Sequence, residues 1–221
     1  MSEPSARGVL FDLDGTFADT APDLAYALNR VLESHDRPPR SLEEIRPHVS
    51  HGGQALIRFG FGLTPEDAEL VPLWRELLEI YQGHIDTHTR LFPGMEELLE
   101  SLERRSIPWG IVTNKPARFT DPLMRGLGLN GRAGCIVSGD TTAYSKPHPE
   151  PILHACRRIA RPAKACWYVG DAARDIEAGR AAGTRTLVAL FGYLAEQDRP
   201  AAWGADGMIE HPLDILGWLD G

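Results

Sequence analysis

One stretch near the start of the chain decides the fold, and it reads Val9-Leu10-Phe11-Asp12-Leu13-Asp14-Gly15-Thr16. Its first three residues form a short apolar run that predicts a buried strand, which ends abruptly at two acids, a glycine and a threonine. In open α/β sheets the ligand crevice lies outside the carboxyl ends of the strands, so we expect the acids at such a crevice. Two carboxylates this close repel each other and stay ionised only beside a cation or a shared proton. The stretch therefore predicts a metal ion or a lysine next to Asp12 and Asp14.

Polar residues of the right kind follow later in the chain. Thr113 and Asn114 come after an apolar run, Lys146 supplies a cation, and Asp171 and Asp175 form a second acidic pair. Each has an ordinary structural explanation when taken alone. Thr113 could cap a strand end, Lys146 could lie in an exposed turn, and Asp175 could be an acid favoured at a helix N-terminus. Their common order along the chain favours one site.

Together these residues resemble the four ordered motifs of the haloacid dehalogenase-like phosphatases. The motifs are residues 12–16, residues 113–114, residues 146–147, and residues 170–171 with Asp175. All four are intact and they span almost the whole chain. The resemblance implies an α/β fold, with a doubly wound parallel-sheet (Rossmann-like) core and an inserted all-helical cap domain. It also implies a Mg²⁺-dependent phosphatase that hydrolyses a small phosphorylated metabolite.

The resemblance assigns catalytic roles to the motif residues. Asp12 would attack phosphorus and form an aspartyl-phosphate. Asp14 would protonate the departing alcohol and later activate the water that hydrolyses this intermediate. Lys146 would neutralise charge and position Asp12, while Thr113 and Asn114 would bind the substrate, the Thr113 hydroxyl holding phosphoryl oxygens.

The same resemblance implies a metal site made of oxygen ligands. The carboxylates of Asp12 and Asp171 and the backbone carbonyl of Asp14 would bind Mg²⁺, a hard cation that bridges to phosphate. Asp175 would either bind the metal through water or orient Lys146. These alternatives remain open at the level of the sequence.

The pattern along the chain predicts two domains. Residues 18–89 show helical periodicity and no convincing strand, with helices opening at Thr20, at a capping box from Ser41 and at Thr64. From Leu91 onward, short apolar runs alternate with helical segments, which indicates a parallel sheet. We therefore predict a catalytic core of residues 1–17 and 90–221 and a cap of residues 18–89. Hinges are expected near residues 17–20 and 90–93.

Composition excludes several other functions. The 221 residues carry a formal net charge of −8, which argues against nucleic acid as a partner because phosphate-backbone binding needs clustered Lys and Arg. The chain starts without an apolar leader and has no run long enough to span a membrane, so we expect a cytoplasmic enzyme. The three cysteines lack metal or disulfide spacing and are expected to be buried. A monomer and a homodimer are both compatible with the sequence.

Substrate choice is predicted from the cap and from further stretches of resemblance. Residues 113–116, 145–151 and 192–193 resemble the phosphoglycolate phosphatase branch of the family. Closer still is the resemblance of residues 49–53, 91–95, 109–116 and 203–206 to bacterial phosphatases of peptidoglycan recycling that act on N-acetylmuramic acid 6-phosphate. In the cap, His51, Gly52 and Gly53, with Gln54 and Arg58 nearby, would face the leaving group and select it. The alternative is that the two glycines only make a tight turn.

Two other functions compete with a phosphatase. A sugar phosphomutase of the same fold uses the same acids but returns the phosphoryl group to a sugar, so release of free phosphate separates the two. A non-catalytic metabolite sensor would normally have lost one of the four motifs.

Overall fold

The computed structural model describes residues 7–220, and a parallel sheet is its largest element. These residues contain eight strands: β1 (Gly8–Phe11), β2 (Ala18–Asp19), β3 (Arg90–Leu91), β4 (Trp109–Val112), β5 (Cys135–Val137), β6 (Cys166–Gly170), β7 (Arg185–Ala189) and β8 (Gly207–Ile209). Six of them form the main sheet in the order β5-β4-β1-β6-β7-β8, and every neighbouring pair is parallel. This order, with helices between the strands, confirms the predicted α/β fold.

Helices connect the strands and fill the stretch between β2 and β3. They are α1 (Ala21–Ser34), α2 (Leu42–Val49), α3 (Gly53–Phe61), α4 (Leu70–Gln82), α5 (Met95–Arg104), α6 (Ala117–Gly126), α7 (Glu150–Arg158), α8 (Ala173–Ala182) and α9 (Ile215–Asp220). Across residues 7–220, no helix combines the length and apolar character needed to cross a membrane.

The centre of the sheet positions the motif residues. Strand β1 is fully buried and pairs with β4 on one side and β6 on the other, with Phe11 level with Ile111 and Val169. Successive side chains of a strand point to opposite faces. Accordingly Val9 and Phe11 enter one apolar cluster while Leu10 enters a second cluster on the other face. The first residues after β1, β4 and β6 therefore meet at one edge of the sheet.

A short antiparallel ribbon joins the helical segment α1–α4 to the sheet. Ala18 lies opposite Leu91, and Asp19 lies opposite Arg90. The prediction of a strand-free stretch over residues 18–89 is thus wrong at its first two residues, because a two-residue strand is too short to show periodicity. The ribbon falls where hinges were expected. The division into core and cap stays a prediction, and its ends at residues 1–6 and 221 lie outside the described residues.

The helical segment packs on the sheet through a continuous apolar cluster. Leu28 of α1 and Leu77 of α4 belong to the same buried cluster as Val9 and Phe11 of β1. All three cysteines are buried and free in the second cluster, as expected.

The sequence predicted the start of α2 correctly and the start of α4 incorrectly. Ser41 caps α2 with the expected capping box, its side chain accepting from the Glu44 N–H. The expected helix start at Thr64 is wrong, since the helix begins at Leu70. Thr64 instead donates from its backbone N–H and its hydroxyl to Asp67, and so forms a turn before the helix.

Candidate active site

The residues of the four motifs converge at the carboxyl edge of the sheet. Asp12 follows β1, Thr113 follows β4 and Asp171 follows β6, while Lys146 comes from the loop between β5 and α7. All four side chains are buried. The parallel pairing of the three central strands places their ends side by side, as the sequence predicts.

Lys146 is the cationic centre of this cluster. Its Nζ lies 2.8 Å from Asp12 Oδ1 and 2.7 Å from Asp175 Oδ1, and its side chain is 1% exposed. Burial alone lowers the pKa of Lys146, but the charges of Asp12 and Asp175 outweigh that effect and leave the pKa raised. The lysine is therefore charged and in direct contact with Asp175, and the role of that acid stays a prediction.

Neighbouring groups fix Lys146 further. The Nζ donates to the Tyr168 hydroxyl at 2.8 Å and to the Val112 carbonyl at 2.9 Å. The Asn114 amide holds the backbone of Lys146, donating to its carbonyl and accepting from its N–H, both at 2.9 Å. Asn114 was predicted to bind substrate, and in the structure its side chain positions Lys146.

The buried acids form a site suited to a divalent cation. Asp12, Asp171 and Asp175 each offer an oxygen within 4.8 Å of the others. Burial, then repulsion by Asp175, raises the pKa of Asp12 to about 6, and burial followed by repulsion from Asp12 raises the pKa of Asp171 to about 7. Hard oxygen donors that repel one another fit a hard divalent metal ion such as Mg²⁺. Asp14, next to this cluster, was predicted to add its backbone carbonyl.

The helical segment reaches into this acidic cluster. Ser50, directly after α2, donates its hydroxyl to Asp171 Oδ2 at 2.8 Å, and Arg174 donates to the Ser50 carbonyl. Asp171 also accepts from the Tyr193 N–H at 2.9 Å and from the Thr16 hydroxyl at 3.3 Å. A residue outside the four motifs thus contacts the predicted metal ligand.

Asp14 is held by a separate cation. The Lys115 Nζ lies 2.7 Å from Asp14 Oδ1 and donates to the Tyr81 hydroxyl at 3.0 Å. Thr20, expected to cap α1, precedes that helix but donates its hydroxyl to Asp14 at 2.5 Å instead. Burial alone lowers the pKa of Lys115, but the Asp14 charge together with the contacts to Asp14 and Tyr81 leaves the pKa raised. Both Thr20 and Tyr81 come from the helical side of the site.

A cavity of about 520 Å³ opens between the sheet edge and the helical segment. It is lined by all the predicted catalytic residues, by Asn114, and by the predicted cap residues His51, Gly52, Gly53 and Gln54. Arg58 is exposed on α3 and is not among the lining residues, so its role in substrate binding stays a prediction.

The two cap glycines serve different purposes. Gly52 has a φ of +87°, which L side chains rarely adopt, and a Cβ there would meet nothing within 4 Å. Gly53 has no such φ, but a Cβ there would lie 2.9 Å from the indole nitrogen of Trp74. The tight-turn explanation thus accounts for Gly52, whereas Gly53 allows close approach to Trp74.

Sequence reasoning missed several residues of the cavity. Trp74, Leu78 and Phe119 line the cavity, and the sequence pattern assigns them no role in the site. Arg118 and Arg174 had no motif role, although Arg174 stands beside Asp175 in the last motif. The proximity of basic residues to motifs was the one available signal.

Comparisons with known proteins show which proteins this chain is similar to. The family model described as haloacid dehalogenase-like hydrolase matches residues 9–189. The chain is 40% identical over 220 residues to N-acetylmuramic acid 6-phosphate phosphatase of Pseudomonas aeruginosa, covering 100% of this chain and 97% of that protein. It is 42% identical over 211 residues to phosphoglycolate phosphatase of Xanthomonas campestris pv. campestris, covering 95% and 94%.

Solved structures share the fold over nearly the full length. A predicted phosphoglycolate phosphatase from Haemophilus somnus is 26% identical, with a TM-score of 0.84 and 99% of each chain covered. The relatives named as phosphatases make this chain a phosphoric monoester hydrolase. By its motifs, its sheet and its relatives, the chain belongs to the haloacid dehalogenase-like hydrolase family.

Proposed function

We propose that this phosphatase hydrolyses N-acetylmuramic acid 6-phosphate, or alternatively 2-phosphoglycolate, in a Mg²⁺-dependent reaction through an aspartyl-phosphate on Asp12. The observation that carries the proposal is the buried carboxylate of Asp12, which is paired at 2.8 Å with Lys146 and lines a cavity of about 520 Å³. The names of the relatives support the two substrates.

The contacts of Asp12 indicate which oxygen attacks. Oδ1 accepts from Lys146 and from the Leu13 N–H, whereas Oδ2 accepts no hydrogen bond from any residue between 7 and 220. Oδ2 attacks phosphorus in line with the leaving oxygen, and the bond from phosphorus to that oxygen breaks. Lys146 keeps the carboxylate oriented and offsets the negative charge brought by the phosphoryl group.

Asp14 supplies the proton transfers. It gives a proton to the leaving oxygen, and later takes one from the water that attacks the aspartyl-phosphate and releases phosphate. Lys115 and Thr20 hold its carboxylate in place. The carboxylates of Asp12 and Asp171 and the Asp14 carbonyl would hold Mg²⁺, which when bound neutralises charge on the phosphoryl oxygens.

A substrate panel tests the reaction. We expect Mg²⁺-dependent phosphate release from one of the two proposed substrates in preference to common sugar phosphates. Asp12→Asn should lower kcat by about 10³-fold or more, since removal of a nucleophile abolishes the covalent route. Asp121→Asn, at an exposed position on α6, serves as the matched control. Absence of phosphate release from every substrate would contradict the proposal, and transfer to a second sugar hydroxyl would favour the phosphomutase.

Metal removal tests the acidic site. Chelation should abolish phosphate release, and Mg²⁺ should restore it. Added Mg²⁺ should also raise the melting temperature, because a cation relieves the repulsion among Asp12, Asp171 and Asp175. Full activity in the chelated protein would contradict the metal site.

A small metabolite as the sole partner, without nucleic acid or membrane, remains a prediction, as do the cytoplasmic location and the monomeric or homodimeric state.

A further inference from the structure

The cavity is larger and more apolar than phosphate binding requires. Besides the catalytic acids, it is lined by an apolar wall formed by Leu24, Val49, Trp74, Leu78 and Phe119. A volume of about 520 Å³ falls within the range of about 300–1,000 Å³ typical of sites for much larger ligands than a two-carbon acid. With its phosphate at Asp12, 2-phosphoglycolate would leave most of this wall uncovered.

Four lysine and arginine side chains line the cavity, and three of them lie at the catalytic acids. Lys146 is paired with Asp12, and Lys115 is paired with Asp14. Arg174 donates to the Ser50 carbonyl, and the Ser50 hydroxyl in turn donates to Asp171 of the acidic cluster. These three cations are already committed to the catalytic end.

Arg118 differs from these cations. It lies in the first turn of α6, lines the cavity and is exposed. No salt bridge or side-chain hydrogen bond joins it to any residue in the described range 7–220. Its guanidinium lies 4.6 Å from the centroid of the Phe119 ring, which belongs to the apolar wall. A free guanidinium beside an apolar surface is suited to bind a carboxylate through two parallel hydrogen bonds.

We propose that Arg118 and the apolar wall form a subsite for a leaving group that carries a carboxylate on a sugar-sized, partly apolar body. Arg118 binds the carboxylate, and Trp74 packs against the body of the leaving group. This inference rests on the proposed function and deepens it. It selects an N-acetylated sugar phosphate with an acidic ether substituent over both its neutral sugar counterpart and a two-carbon acid.

The polar residues around the subsite are consistent with an anionic ligand. The acids that line the cavity, Asp12 and Asp14, are both paired with lysines at the catalytic end. Burial, followed by the Arg174 charge, lowers the pKa of His51, which favours the neutral form of this residue. Arg118 therefore supplies positive charge beside the apolar wall.

The test compares two sugars that differ in the acidic group alone. N-acetylmuramic acid 6-phosphate and N-acetylglucosamine 6-phosphate share the ring, the acetamido group and the phosphate, and only the first carries the carboxylate. We expect Arg118→Gln to lower kcat/KM for the acidic sugar by about 10-fold to 100-fold, mainly through KM. The neutral sugar should change by less than about twofold, and Arg118→Lys should restore part of the loss.

Matched controls keep the outcome clear. Arg125→Gln removes another exposed arginine of α6 and should leave both substrates unchanged. Trp74→Ala should lower kcat/KM for both sugars and spare 2-phosphoglycolate, whereas Val71→Ala, at an exposed site on the same helix, should not. Equal losses on both sugars in Arg118→Gln, or no loss on either, would overturn the subsite. Absence of phosphate release by the unmodified protein on all three compounds would instead overturn the proposed function.

Discussion

The two sides of the cavity are built on different principles. On the sheet edge, Asp12, Lys146 and Asp175 are buried and joined by contacts of 2.7–2.8 Å. On the helical side, Trp74 and Leu78 are partly exposed and contribute shape and apolar area. A change on the sheet edge leaves a buried charge without its partner. A change on the helical side alters fit, and its effect depends on the substrate.

The largest effect is expected at the sheet edge. Lys146→Met removes the cation shared by Asp12 and Asp175 and leaves buried carboxylates uncompensated. The free energy of unfolding should fall by about 3–5 kcal/mol, as measured by denaturant titration. Phosphate release should fall by about 10²-fold or more on every substrate, since Asp12, the proposed nucleophile, loses its orientation.

Lys164→Met gives the control for this prediction, because Lys164 is exposed in the short 3₁₀ turn before β6. It should change neither stability nor activity. If Lys146→Met lowered phosphate release from one substrate only, the sheet edge would no longer differ from the helical side in affecting all substrates alike.

A smaller effect is expected on the helical side. Gly53→Ala places a Cβ 2.9 Å from the Trp74 indole nitrogen and displaces that ring from the cavity wall. The kcat/KM for a sugar phosphate should fall by about tenfold, and that for 2-phosphoglycolate should stay nearly constant. Steady-state assays on both substrates measure this split.

Gly52→Ala sharpens the result, because it strains the backbone without meeting any atom. It should lower the free energy of unfolding by about 1–2 kcal/mol and spare the discrimination between substrates. If both glycine variants shift substrate preference equally, close approach to Trp74 is not what Gly53 provides.

The smallest effect on activity is expected at Tyr193, which connects the helical side of the cavity to Asp171 on the sheet edge. The Tyr193 hydroxyl donates to Asp19 at 2.7 Å and accepts from the Ala21 N–H at 2.9 Å, while its backbone N–H binds Asp171. Tyr193→Phe keeps the backbone contact and leaves the Ala21 N–H unpaired. The melting temperature should drop by an amount equivalent to about 1–3 kcal/mol, with kcat reduced only a few-fold.

Tyr144→Phe is the control here, since the Tyr144 side chain is 57% exposed. If Tyr193→Phe lowered activity as much as Lys146→Met, the contacts of the Tyr193 hydroxyl, rather than the ion pairs of Lys146, would determine the activity of the site.

Sequence reasoning was most accurate where chemistry and strand ends coincide. The run before Asp12 predicts a buried strand, and the parallel order of strands brings Asp171 and Thr113 to the same edge. It was least accurate for short or irregular elements. The two-residue strand Ala18–Asp19 and the start of α4 at Leu70 depend on contacts with distant segments, which local periodicity does not report.

The sequence by itself determined the α/β fold and the set of residues that meet at the catalytic edge. Apolar runs that end in acids place those acids at the carboxyl ends of parallel strands, whatever the remaining packing. Only the tertiary structure decided the partners of Asp14 and the composition of the cavity. Lys115 and Tyr81 meet, and Trp74 approaches Gly53, because the helical segment packs over the sheet edge. Such contacts between segments far apart in the chain arise from the burial of whole surfaces and leave no local pattern in the sequence.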